Sequence, residues 1–164
     1  MYRKTQLAFL WPVVLLAACN GVSDQKRYST AQEDEERVAA MYAMRSIGVE
    51  LVDMFDSSKL QPARVRELTS LLVKQAEALP THFKRAPDPK GPSTSQAKAL
   101  IWAKPNDFRA AMSTFQQKAR HLKQTVDGTP DAKLKGIWPV LVDTGNSCTA
   151  CHQQFRVGGD PSHD

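Results

Sequence analysis

The chain has 164 residues, enough for one hydrophobic core and too few for two. Apolar residues make up 41% and charged residues 24%, ordinary proportions for a folded domain. The net charge of +5 includes Arg3 and Lys4; without residues 1–18, 20 bases face 17 acids. That excess is too weak for a nucleic-acid binder, and no basic run interleaved with aromatics exists. It suits solubility or the steering of an acidic partner.

Arg3 and Lys4 precede the apolar run LAFLWPVVLLAA, residues 7–18, which is too short to span a bilayer and fits the core of an export signal. The run ends in Leu16-Ala17-Ala18-Cys19, which resembles the lipobox of bacterial lipoproteins. The resemblance implies cleavage after residue 18 and acylation of Cys19, several chains on one residue giving firm anchoring. An ordinary cleaved signal is the alternative. Asn20, where some lipoproteins carry Asp, points by resemblance to the outer membrane. With Cys19 given to lipid, Cys148 and Cys151 remain as a matched pair.

Residues 19–31 are polar and without period, which predicts a tether. Helical patterning follows, with Ser29 or Thr30 as cap and Glu33, Asp34, Glu35 and Glu36 in the first turns. Val38, Met41, Met44, Ile47 or Gly48, Leu51 and Met54 form its apolar stripe. Pro62 opens a second helix with the stripe Val65, Leu68, Leu72, Ala76 and Leu79, and Pro80 stops it.

Residues 80–104 form a long proline-rich connection holding one apolar island, Ala99-Leu100-Ile101-Trp102, which must bury itself. Pro105 opens a third helix with Phe108, Met112, Phe115, Ala119, Leu122 and Val126, ending at Asp127-Gly128. A fourth begins near Asp131 with Leu134, Trp138, Leu141, Gly145, Cys148, His152 and Phe155 on one stripe; Pro139 should kink or break its first turns. Four amphipathic helices with no alternating strand pattern predict an all-α, antiparallel four-helix bundle over residues 32–157, with a disordered tail at 158–164.

The chemistry lies in Ser147-Cys148-Thr149-Ala150-Cys151-His152. A zinc site would need a fourth ligand, and neither a second Cys-x-x-Cys nor a matching His spacing exists. A thiol-redox pair belongs at a helix N-terminus, where the dipole lowers a thiol pKa, whereas this pair lies near the end of the last helix. Cys-x-x-Cys-His is the attachment signature of c-type haem. Two thiols one turn apart reach two vinyl groups on one porphyrin edge, and the adjacent imidazole lies where it can bind iron. Export agrees with that reading.

Further stretches then resemble the cytochromes c-prime, the class II cytochromes c. Cys148 through Arg156 is similar to the family's terminal Cys-x-x-Cys-His-x-x-aromatic-Arg. Ile101-Trp102 followed by Phe108 resembles its Ile-Trp…Phe segment, and Met44-Arg-Ser-Ile-Gly48 its Met-Lys-x-hydrophobic-Gly stretch. The resemblance implies one covalent haem c near the C-terminus, thioethers to Cys148 and Cys151, and His152 as proximal ligand. It places Arg156 near the proximal haem face and Trp102 around the haem, although a solvated helix end and a plain core aromatic are equally compatible. On the distal side a methionine ligates iron in low-spin members, and Met44 aligns with that position, with Met41 second; in five-coordinate members an apolar residue blocks the site and gases bind. The family's arginine four residues before the distal position falls on Ala40, with Arg37 and Arg45 nearby.

The expected function is therefore one-electron transfer by a lipid-anchored, periplasm-facing monohaem cytochrome, with no bond-making catalysis. A five-coordinate protein binding nitric oxide or carbon monoxide is the alternative, and a haem-free thiol–disulfide lipoprotein the remote one. The expected partners are an unidentified redox protein, the membrane through Cys19, and a second copy, since family members often pair through helix faces; no nucleic acid is expected.

Overall fold

The computed structural model describes residues 21–57, 60–91 and 93–159. The expected export signal, Cys19 and the end of the expected tail lie outside them. Four long helices account for most of the fold: α1 (Gly21–Asp56), α2 (Pro62–Ala78), α4 (Pro105–Gly128) and α5 (Trp138–Phe155). A single turn, α3 (Leu100–Ala103), sits within the long connection. No strand occurs among the described residues; an isolated antiparallel bridge joins Ala97 to Arg156.

α2 and α4 follow their predicted stripes closely. Val65, Leu68, Leu72 and Ala76 meet Phe108, Met112, Phe115, Ala119, Leu122 and Val126, and all are buried. Steps of three and four keep one face inward on both helices, so these residues form the bundle's centre. The apolar island behaves as required: Ile101 is buried, and Trp102 Nε1–H donates to the Phe83 carbonyl at 3.1 Å.

Four details differ from expectation. α1 begins at Gly21, so Ser29 and Thr30 do not cap it and most of the expected tether continues the helix. Once the buried face of residues 34–55 has nucleated the helix, each further residue adds at propagation cost only. Pro80 does not end the chain's winding; it sits in the first turn of a 3₁₀ segment, Leu79–Phe83, where its missing N–H costs nothing.

On α1 the deepest apolar side chains are Ala40, Ile47, Leu51 and Phe55, while Met41, Met44 and Met54 are half-buried beside them. On the last segment Trp138 and Gly145 face solvent, and Ile137, Thr144 and Ser147 are buried instead. For Trp138 the cause is a change of helix type. Residues Asp131–Ile137 wind as a 3₁₀ helix, with Pro139 in the first turn of α5. A tighter helix turns further per residue, so a stripe counted at one period drifts out of phase across the junction.

The chain runs up and down in sequence, leaving α1 and α5 antiparallel. Phe55 near the end of α1 meets Trp138 at the start of α5, with ring centroids 6.1 Å apart. Lys135 Nζ donates to the carbonyls of Phe55 and Ser57, both at 2.9 Å, and so fastens the same end.

Candidate functional site

The Phe55–Trp138 contact gives the approximate level of residues on the two antiparallel helices, to about one turn. Each residue advances about 1.5 Å along either axis. Counting back along α1 and forward along α5 by equal steps pairs Met44 with Thr149 and Met41 with His152. The half of α1 bearing the two methionines therefore lies alongside the half of α5 bearing Cys148, Cys151 and His152. All five side chains are half-buried, and the methionines and cysteines pack on the central apolar cluster.

Cys148 and Cys151 are free thiols three residues apart, one helical turn along α5. The Cys148 thiol points back to the Thr144 carbonyl, 3.8 Å away. Burial pushes both thiols up to about 11, and for Cys148 the neighbouring Cys151 adds to the effect. At neutral pH both are protonated. A thiol–disulfide exchange site needs a lowered pKa, so that reading loses its physical basis here. Zinc fares no better: among the described residues no three His, Cys, Asp or Glu side chains gather as ligands.

Two neutral thiols spaced by one turn, turned toward an apolar seam and followed at once by a partly buried imidazole whose Nδ1 is enclosed, fit covalent haem attachment. The residues that would hold the group are Cys148 and Cys151 covalently and His152 at the iron, with Met41 and Met44 across the seam.

Aromatic rings close the bundle beside the site. Phe108 stands between Phe83 and Phe155, with centroids 4.8 and 5.1 Å away, both edge-on. Trp102 is half-buried here, hydrogen-bonded to the Phe83 carbonyl and lying beneath the Arg37 guanidinium at 5.3 Å. Its observed neighbours are thus those of a bundle cap. Arg156 ends α5 in extended geometry; its N–H donates to the His152 carbonyl at 2.9 Å and its guanidinium to the Gly159 carbonyl at 3.2 Å. Gly158 and Gly159 take the left-handed conformation that the turn beyond the helix needs.

Sequence reasoning missed one cluster. Arg37 and Asp34 are both buried, and Arg37 Nη1 donates to Asp34 Oδ1 at 2.5 Å. Arg37 also donates to the carbonyls of His82 (2.9 Å) and Arg85 (3.2 Å) and lies over the Phe83 ring at 5.2 Å. Burial lowers its pKa, and the Asp34 and Glu33 carboxylates offset part of that. The available signal was an acid and an arginine three apart on the stripe's own face. It was hidden in a run of acids that reads as dipole compensation at a helix start.

A family model described as Cytochrome C' matches residues 32–156. Among curated proteins, a cytochrome c-554 from Cereibacter sphaeroides is 36% identical over 62 residues, covering 38% of this chain and 44% of that protein. The chain thus spans under half the length of that relative. The fold is similar to the crystal structure of cytochrome c' from Rubrivivax gelatinosus, with TM-score 0.67, 19% identity, and coverage of 78% of this chain and 97% of that one. It is also similar to a nitric oxide complex of a cytochrome c prime variant from Alcaligenes xylosoxidans, with TM-score 0.64, 20% identity, and coverage of 77% and 95%.

Proposed function

The chain belongs to the cytochrome c-prime family, and from that premise we propose that it is a c-type haem protein binding a diatomic gas, nitric oxide or carbon monoxide. Family proteins carry one covalent haem c, and Cys148 and Cys151 stand in position for its attachment. Sequence reasoning put electron transfer through a Met44-ligated iron first. The family match and the nitric oxide complex among its structural neighbours favour the gas-binding alternative.

The observation that carries the reading is the seam between α1 and α5. On the α5 side, His152 offers the proximal imidazole, and its place one residue after Cys151 orients the ring relative to the thioether edge. On the α1 side, Ala40, Met41 and Met44 present an apolar wall. Such a wall admits a small neutral molecule and disfavours water; its only possible ligands to iron are the two thioethers. Held by Cys148, Cys151 and His152, a haem would supply a one-electron iron centre able to take a small diatomic ligand. Met44, aligned with the distal position by the family resemblance, and Met41, close to the level of His152, are the two residues that would face the iron.

A second reading has its own observation: two thioethers, Met41 and Met44, share the seam with His152. Ligation by either would saturate the iron and favour electron transfer. The absorption spectrum of the reduced protein with and without carbon monoxide decides. A high-spin form that binds carbon monoxide rapidly supports gas binding. A low-spin form that resists it, and loses its sixth ligand in Met41→Ala or Met44→Ala, supports electron transfer to a redox partner.

The setting proposed is the periplasmic side of a bacterial membrane, the outer one by the residue after Cys19, with acylated Cys19 as anchor. Among the described residues no helix is long and apolar enough to cross a membrane. For a second copy, α1 offers an outer face where Tyr42, Val49 and Val52 are exposed and Arg45, Glu50 and Asp53 line a shallow groove. A two-fold axis at Val49 would set Arg45 of one copy against Asp53 of the other. Sedimentation of wild type and Val49→Glu tests it: a dimer that becomes a monomer supports the pairing, and identical monomers contradict it.

A further inference from the structure

We propose that Asp34 is a positioning residue for the site, locking the segment 93–98 as a strap that ties α1 to α5 and fixes the width of the seam between Met41 and His152. The inference rests on the haem reading above and names what regulates access to that site.

Four hydrogen bonds converge on one carboxylate. Asp34 Oδ1 accepts from Arg37, and Oδ2 accepts from Ser93 Oγ (2.8 Å), the Thr94 N–H (3.0 Å) and the Ser95 N–H (3.1 Å). Asp34 is 3% exposed, so the accepting carboxylate lies out of water although its donors Ser93 and Thr94 reach the surface. From there the strap crosses to α5. The Val157 N–H donates to the Gln96 carbonyl at 2.7 Å, and the Lys98 N–H donates to the Phe155 carbonyl at 2.9 Å, making the Ala97–Arg156 bridge. Lys98 Nζ adds bonds to the carbonyls of Gln153 and Gln154, both at 3.2 Å. These are among the last carbonyls of α5, where the helix dipole favours a cation.

The geometry gives the strap a purpose beyond covering an end. The opposite end of the α1–α5 pair is held by Phe55, Trp138 and Lys135. Between the two fastenings, direct packing of α1 on α5 is sparse compared with α1 on α2 or α4 on α5. The strap is therefore what limits separation of the two helices beside His152. Arg37, pinned by the carbonyls of His82 and Arg85, holds the near side of the same connection. Removing the Asp34 carboxylate frees the strap from α1 while leaving its bridge to α5, and the seam can then widen at its open end.

The test uses the full-length haem-loaded protein and its Asp34→Ala variant, with two readouts. Amide hydrogen exchange should accelerate at least about tenfold at Thr94 and Ser95 and also at Lys98 and Val157, because a released strap opens as one unit. Carbon monoxide association to the reduced protein should rise about tenfold, with core amides of α2 and α4 unchanged. Faster exchange confined to Thr94 and Ser95, with an unchanged association rate, overturns the proposal, since Asp34 would then be only a local cap.

Should wild-type protein refuse carbon monoxide, the gas-binding reading fails on its own. The strap is then read from the low-spin fraction of the iron, which Asp34→Ala should lower; an unchanged fraction overturns it. If Asp34→Ala fails to fold, Ser93→Ala removes one of the four bonds and should shift both readouts in the same direction by a smaller factor; no shift overturns the proposal.

Discussion

The two ends of the α1–α5 pair are built from different material. At one end Leu51, Phe55, Leu134, Ile137 and Leu141 are buried, and the aliphatic chains interlock with those of α2 and α4. At the other, Met41, Met44, Cys148, Cys151 and His152 are only half-buried, although all but His152 are groups that normally seek a core. The first end is complete as protein. The second brings soft, flexible and thiol side chains to the margin of the core, half-exposed, beside the polar strap and the aromatic rings. The contrast teaches where stability and function divide within one bundle: one end carries the folding energy, and the other is shaped for a group that the chain does not encode.

Replacing both cysteines breaks the comparison most completely. Cys148→Ala with Cys151→Ala should abolish covalent haem while leaving the closed end intact, checked by the mass of the purified protein and its far-ultraviolet circular dichroism. At the closed end, Leu134→Ala should cost about 2–5 kcal/mol, the range for deleting a fully buried leucine side chain. Met44→Ala at the open end should cost clearly less, because its side chain is already partly in water. Denaturant unfolding of the two variants measures the difference, and equal costs would erase the contrast.

The protein before haem attachment should respond to alkali through the open end. Both thiols are raised from the ordinary 9.0 to about 11 in the folded chain, so unfolding lets them ionise sooner. Stability from this source is full below pH 9 and is lost as pH rises toward 11. Over the same interval, alkylation by iodoacetamide should be slow at pH 8 and accelerate toward pH 11, whereas thiols in the denatured chain react fully near pH 9. The smallest effect is expected from Arg85→Gln. That guanidinium pairs with Glu33 on the surface beside the strap, and its loss should leave the unfolding midpoint unmoved.

The closed end was legible in the sequence because aliphatic periodicity is a sufficient code for helices packed on helices. The stripes of α2 and α4 came through residue for residue, as did Pro62 and Pro105 at helix starts. Phase was lost where helix type changed: nothing in Asp131–Ile137 announces a 3₁₀ winding, and Trp138 was placed inward in consequence. At the open end the Cys-x-x-Cys-His spacing announced the chemistry, since local spacing on one helix is enough to define it. The facing residues were harder. Whether Met41 or Met44 stands opposite His152 depends on the register between helices more than a hundred residues apart in sequence, which local patterning does not carry. The Asp34 strap joins three distant segments and has no local signature at all.

The most direct measurement is the mass of the exported, purified protein and of its fragment containing residues 147–156. The account predicts one haem added to that fragment, retained through acid–acetone extraction and absent from every other fragment. A colourless protein whose fragment carries two unmodified cysteines, or a disulfide between them, would contradict it.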